Sequence, residues 1–364
     1  MKHVGSLISA CLSTALLAAC GSGNGFSPST TSVAPLIAAQ RSAAAGSASF
    51  RAAGPNLYVA NFRTTCRNCG STVTVYAPGR DRVLRTISQG VRKPVALAFD
   101  DTGNLYVANY RLSCQGCGGS VTVYAPGSNT VLRTTSQGVN FPTALAFDSS
   151  GNLYVANCCN VASRGYGGAT VSVYAPGSTA VLRTIAEGVN YPEALAFSSG
   201  GSLYVANYYG PTVTAYSPGR NKVRQTISQG LSGPYRLAFD PSGNLYVANP
   251  YENDVTIYGR RTKKLLRTIS QGLHLPTALA FDGSGNLYVA NRNTVTVYAP
   301  GSTSVLRTIS QGIAGPNALA FGGAGYLFVA NGDNTVTVYA PGKTKVLRTI
   351  AQGLNIPVAL AFGP

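Results

Sequence analysis

Acidic residues and histidines are scarce. Only 11 of the 364 residues are Asp or Glu, and only two are His. Four of the acids, Asp100, Asp148, Asp240 and Asp282, recur at one position of a repeated turn. Little is left for a carboxylate-rich metal site or a paired acid and base. Helical patterning is missing too. Outside the N-terminal segment, no window spaces apolar residues at i, i+3 and i+4 long enough for an amphipathic helix. The N-terminal apolar run, Val4 to Ala19, is sixteen residues and short for a bilayer span. No nucleic-acid recognition motif accompanies the basic charge, so no nucleic-acid partner is expected.

What the chain has in abundance is one unit, repeated. The Leu of an NLYVAN-like phrase falls at Leu57, Leu105, Leu153, Leu203, Leu245, Leu287 and Leu327, with spacings of 48, 48, 50, 42, 42 and 40 residues. Such a period marks a repeat architecture. Residues 142–187 show its content. Strand-like runs cover Ala144 to Phe147, Leu153 to Ala156, Val171 to Tyr174 and Val181 to Ile185. Between the first two lies Asp148-Ser149-Ser150-Gly151-Asn152, with residues suited to a tight hairpin turn. Pro176-Gly177 suits the centre of a type II turn. Four antiparallel strands per unit make one propeller blade. The first unit opens at its second strand, near Leu57, and the chain ends on a surplus first strand, Pro357 to Phe362. Joining these ends closes a ring and removes an open sheet edge. The expected fold is all-β: a seven-bladed β-propeller of four-stranded antiparallel blades, the first blade closed by the C-terminal strand.

The pattern P-x-A-L-A-F-D-x-x-G-N-L-Y-V-A-N followed by T-V-T-V-Y-A-P-G resembles the NHL-repeat and YVTN-type β-propellers of bacteria. The resemblance covers residues 55–364. It departs from the NHL pattern where those units carry Asp and this chain has Asn61, Asn109, Asn157, Asn207, Asn249, Asn291 and Asn331. We read these Asn as structural, satisfying loop backbone groups at strand ends. Propellers of similar build include lactonases, gluconolactonase-type hydrolases and the streptogramin lyase. That resemblance implies clustered His and carboxylates, often with a divalent metal, at the channel. Here the chain without residues 1–19 retains one histidine, His274.

Residues 1–19 have the basic start, short apolar run and small residues of a signal peptide. Leu17-Ala18-Ala19-Cys20-Gly21 resembles the bacterial lipobox, which implies cleavage before Cys20 and lipidation of its sulfur. Two acyl chains anchor a protein stably. Residues 20–54, poor in anything but small and polar residues, read as a flexible tether. The protein is then exported and anchored at the outer membrane or cell surface, touching the membrane through its lipid alone. The net charge of +17 and pI of 9.7 come partly from Arg85, Arg133, Arg183, Arg267, Arg307 and Arg348, one per fourth strand, with Gln225 at that position in the remaining blade. Cations on an outermost strand discourage edge pairing, and they attract anionic envelope polymers.

Six further cysteines, Cys66, Cys69, Cys114, Cys117, Cys158 and Cys159, fall in the loops between second and third strands of blades one to three. Between Asn and the following Val these loops hold 11, 11 and 13 residues, against 5, 5, 3 and 4 in blades four to seven. In an oxidising compartment the default is disulfides. Fifteen connectivities exist for six cysteines; local pairs Cys66–Cys69, Cys114–Cys117 and Cys158–Cys159 are the simplest. A zinc site from Cys66, Cys69, Cys114 and Cys117 has the right ligand count.

The loops between second and third strands share a face with those entering first strands, so departures from the repeat on that face mark the candidate site. After the first-strand Pro come Val95, Thr143, Glu193, Tyr235, Thr277, Asn317 and Val358, and the next position is Ala except for Arg236. Glu193, Tyr235 and Arg236 are expected near the channel mouth, with His274 on the same rim. The loops add Phe62, Arg63, Tyr110, Arg111, Tyr208, Tyr209, Tyr251 and Arg292, a set rich in interface-type side chains. The reading is a monomeric binding module for a protein or anionic envelope polymer, with no cofactor or metal. The alternative is a lactonase-like hydrolase or lyase, and a third is a structural spacer.

Overall fold

The structure, a computed structural model, describes residues 54–62, 70–110, 118–158 and 168–364. These form seven four-stranded antiparallel sheets. Helical structure among them is confined to one short 3-10 turn, Gly323–Gly325. In blade three the strands are Pro142–Phe147, Leu153–Asn157, Thr170–Tyr174 and Val181–Ile185, within two residues of the sequence expectation. The Pro176-Gly177 turn forms as expected: Gly177 sits at φ 73°, and Ser178 N–H donates to the Ala175 carbonyl at 3.0 Å.

The ring closes through the C-terminal strand. Pro357–Gly363 pairs with Asn56–Asn61 in blade one, with Leu57 opposite Phe362, Tyr58 opposite Ala361 and Val59 opposite Leu360. The first strands of successive blades contact one another all the way round, so they line the axis. Second and third strands are buried on both faces, which is why their sequences are apolar without alternation. The fourth strand alternates, with Leu182 exposed and Ile185 buried.

Three repeated contacts weld one blade to the next. A second-strand aromatic meets the first-strand Phe of the following blade edge-on: Tyr58–Phe99 and Tyr154–Phe197 at 4.9 Å, and Phe328–Phe362 at 5.0 Å across the closure. Such pairs contribute about 0.5–1.5 kcal/mol each beyond area burial. The Tyr ending each third strand donates to a carbonyl in the loop that leads from the preceding blade into its own, as Tyr124 does to Gln89 at 2.6 Å and Tyr76 to Gln352 at 2.5 Å. The seven Asn also bridge. Asn207 Oδ1 accepts from Asn190 N–H at 3.0 Å, while its Nδ2 donates to the Gly188 carbonyl at 3.0 Å and to Thr214 Oγ1 at 3.1 Å. That role needs an acceptor and a donor on one side chain, which Asp lacks when ionised. The departure from Asp thus has a structural cause.

The fourth-strand arginines also have a packing role within the blade. They are half-buried and fold back over the second strand of their own blade. Arg85 stands 5.5 Å from the Tyr58 ring centre and donates to its hydroxyl at 2.6 Å, and Arg183 stands 5.4 Å from Tyr154. A cation on an aromatic face is stabilised by the ring quadrupole. Arg267 is the exception: it donates to the Gly301 carbonyl.

Candidate functional site

Each blade is entered through a left-handed residue before proline. Lys93, Phe141, Tyr191, Gly233, Leu275, Gly315 and Ile356 all lie between φ 44° and 60°. Five of them are not glycine, and a left-handed conformation costs an L-residue roughly 1–2 kcal/mol. Pairing of Asn207 with Pro192, and of Asn61 with Pro357, puts these turns on the face that carries the loops between second and third strands. The shared face expected from sequence is therefore present.

Inside that rim, the residue after Pro locks neighbouring blades in three of the seven units. Thr143 Oγ1 donates to the Pro192 carbonyl at 2.6 Å, Thr277 Oγ1 to Pro316 at 2.8 Å, and Asn317 Nδ2 to Pro357 at 3.0 Å. Blades four and five carry a different contact. Glu193 stands at this position with no exposed surface, and Arg236 Nη1 lies 4.0 Å from its Oε2. Arg236 Nη1 also donates to the Tyr235 carbonyl at 2.8 Å, and its guanidinium lies 3.9 Å from the Tyr235 ring centre. Among the described residues neither Glu193 oxygen accepts a hydrogen bond. Burial therefore pushes its carboxyl up to about 8, and the Arg236 charge opposes that only in part.

Tyrosines cover this pair. Tyr208 is central: ring centres lie at 5.2 Å to Tyr209, 5.5 Å to Tyr251, 6.1 Å to Tyr191 and 6.3 Å to Tyr235. The Tyr208 hydroxyl donates to the Tyr251 hydroxyl. Burial first, then that hydrogen bond, raises the Tyr208 phenol above its ordinary value. Tyr251 is the exposed member, at 50%. Its ring lies directly on Gly233, where a Cβ would come 2.6 Å from it, and Gly233 is also left-handed at φ 60°. Both requirements select glycine there.

Of the residues anticipated from sequence, Glu193, Tyr208, Tyr209, Tyr235, Arg236 and Tyr251 converge between blades four and five. Glu193 and Arg236 form a buried pair beside Tyr208 and Tyr235 rather than one open at the mouth. His274 is exposed in the loop entering blade six. Its backbone N–H donates to Asn291 Oδ1 at 3.2 Å, and its side chain makes no hydrogen bond to Glu193 or Arg236. Phe62 is buried under Lys93 in blade one. Arg63, Arg111, Cys66, Cys69, Cys114, Cys117 and Cys159, and with them every anticipated cysteine pair and the zinc alternative, lie outside the described residues, as does Cys20. Cys158 is buried and its N–H donates to the Phe141 carbonyl at 3.2 Å. Sequence reasoning missed Tyr191. A residue before proline ordinarily prefers extended backbone, so nothing marked its ring as turned onto this face.

No family model and no curated protein matches this chain. Solved structures do. A functionally unknown protein from Desulfotomaculum acetoxidans superposes with a TM-score of 0.69 at 17% identity, over 85% of this chain and 99% of that one. A Bacteroides fragilis protein provisionally assigned as a 6-phosphogluconolactonase gives 0.71 at 17% identity, over 87% and 100%. The WD40 β-propeller domain of Doa1 gives 0.61 at 14%, over 80% and 90%. At these identities the likeness shows the fold alone: this chain is a seven-bladed β-propeller.

Proposed function

We propose that this protein is an exported, lipid-anchored binding propeller that holds a protein or envelope glycan on its loop-rich face, without performing chemistry. The supporting observation is the tyrosine cluster between blades four and five. Tyrosine offers large, rigid, amphipathic contact area and is enriched at binding hot spots. Tyr251 presents such a ring to solvent, backed by Tyr208 and anchored on Gly233. The buried Glu193–Arg236 pair sets the floor of the cluster. In this reading Cys20 carries the lipid, residues 20–54 are the tether, and the charge of +17 draws anionic envelope polymers to the surface. Pull-down from envelope extract with full-length protein is the test. A discrete partner retained by the wild type and lost with Tyr251→Ala supports the reading; equal retention by both moves the site elsewhere.

A hydrolase reading has one observation in its favour. Glu193 is a carboxyl held protonated near neutrality beside a guanidinium, the pairing of a proton donor with an oxyanion stabiliser. The Bacteroides fragilis propeller makes lactones the first substrates to try. Lactone turnover by the wild type, abolished in Glu193→Gln, would replace the binding reading.

A further inference from the structure

The turn face, opposite the loop-rich one, holds a second irregularity, again between blades four and five. Three departures from the repeat meet there. In blade four the hairpin turn reads Ser198-Ser199-Gly200-Gly201-Ser202, so Ser198 stands where blades two, three, five and six have Asp100, Asp148, Asp240 and Asp282. In the fourth strand of the same blade Gln225 replaces the repeated Arg, and Arg224 replaces the repeated exposed Leu. In blade five the Ala-Pro-Gly turn is replaced by Gly259-Arg260-Arg261-Thr262-Lys263. One carboxylate has gone, the fourth-strand cation of blade four has moved by one residue to Arg224, and cations have been added in the facing turn of blade five.

The geometry follows from these changes. Without the usual Arg, the Tyr204 ring and its Phe239 partner, 5.1 Å apart, are covered from the next blade. Lys263 Nζ lies 5.0 Å from Tyr204 and 5.2 Å from Phe239. To reach inward, Lys263 adopts φ 52°, strained for a side chain of this kind, and is 8% exposed. Arg260 lies across Gly243, where a Cβ would come within 2.8 Å of it. The result is a cavity of about 230 Å³ lined by Arg224, Arg260, Arg261, Lys263, Ser198 and Tyr204 among others. The nearest acid, Asp240, favours the charged Lys263, but its oxygens already accept from Asn244 N–H and Nδ2 at 2.8 Å. Burial, then Arg260 and Arg224, hold the Lys263 ammonium down to about 8. Among the described residues no carboxylate forms a direct ion pair with the Lys263 ammonium within 4.0 Å.

We propose that this cleft is a binding site for a compact phosphate-type oxyanion. Two arginines give forked donors, Lys263 supplies a point charge at the floor, and the serine hydroxyls complete the shell. The site is separate from the tyrosine cluster and does not depend on it. A soluble phosphate monoester and a phosphatidic acid headgroup share this chemistry.

The test is calorimetric titration of the full chain with glycerol 3-phosphate, alongside co-sedimentation with phosphatidylcholine vesicles with and without phosphatidic acid. Arg260→Ala/Arg261→Ala changes two exposed side chains; circular dichroism confirms that it folds, and Arg261→Glu is a second, single-site variant. Saturable glycerol 3-phosphate binding, weakened about tenfold or more in either variant, supports a soluble ligand. Binding confined to phosphatidic acid vesicles and lost in the variants supports a lipid headgroup. The proposal is overturned by no saturable binding to either probe, or by binding that both folded variants retain in full.

Discussion

The guanidinium of Arg236 stands 4.0 Å from the carboxylate of Glu193, and both are shut away from water between adjacent blades. At that separation, with no hydrogen bond to either carboxylate oxygen among the described residues, attraction does not repay desolvation. Of the seven residues that follow the first-strand prolines, Glu193 alone carries an ionisable carboxyl.

The pH dependence of stability should report that carboxyl. Its folded value of about 8 lies above the ordinary 4.5, so the native state holds a proton that the unfolded state releases. Stability therefore falls as pH rises from about 4.5 to about 8 and levels off above, by an amount on the order of a few kcal/mol. Urea midpoints across that range should slope in the wild type and lie flatter in Glu193→Gln. Parallel slopes in the two proteins would show that Glu193 is ionised throughout.

Replacing Asn207 with Asp tests the bridging amide. The mutant turns donors toward the Gly188 carbonyl into acceptors, in a site with no exposed surface. The expected loss is about 2 kcal/mol or more at pH 7, smaller near pH 4 where Asp regains a proton. Unchanged stability at pH 7 by chemical denaturation would refute the donor assignment.

Tyr76→Phe removes the hydroxyl that reaches the Gln352 carbonyl, a contact between chain-remote segments. We expect a loss of about 1 kcal/mol, the net worth of one partly buried hydrogen bond. Tyr124→Phe, which breaks the same contact between blades one and two, should cost a similar amount. A neutral Tyr76→Phe beside a damaging Tyr124→Phe would mean that the ring is open at its seam.

On the loop-rich face, ring and hydroxyl can be separated. Tyr251→Phe keeps the exposed surface and loses the bond from Tyr208, so partner capture should weaken only a few-fold; Tyr251→Ala should weaken it about tenfold or more. Equal effects would assign the binding to the hydroxyl alone.

Sequence was sufficient for what repetition and polarity encode. Seven spaced copies of NLYVAN, the Asp-x-x-Gly-Asn turns and the offset first strand at the C-terminus specify the blades, their hairpins and the closure, because strand period and turn chemistry are local. The Asn at each second-strand end read correctly for the same reason. Which departures from the repeat become neighbours was decided by the tertiary structure. Glu193 and Arg236 are 43 residues apart and Ser198 and Lys263 65 apart, yet the ring stacks each pair between the same two blades. Burial of the pair beneath tyrosines, the turning of Tyr191 onto the rim by a left-handed backbone, and the seating of Lys263 on Tyr204 all depend on packing between blades, and no local pattern in the chain carries that information.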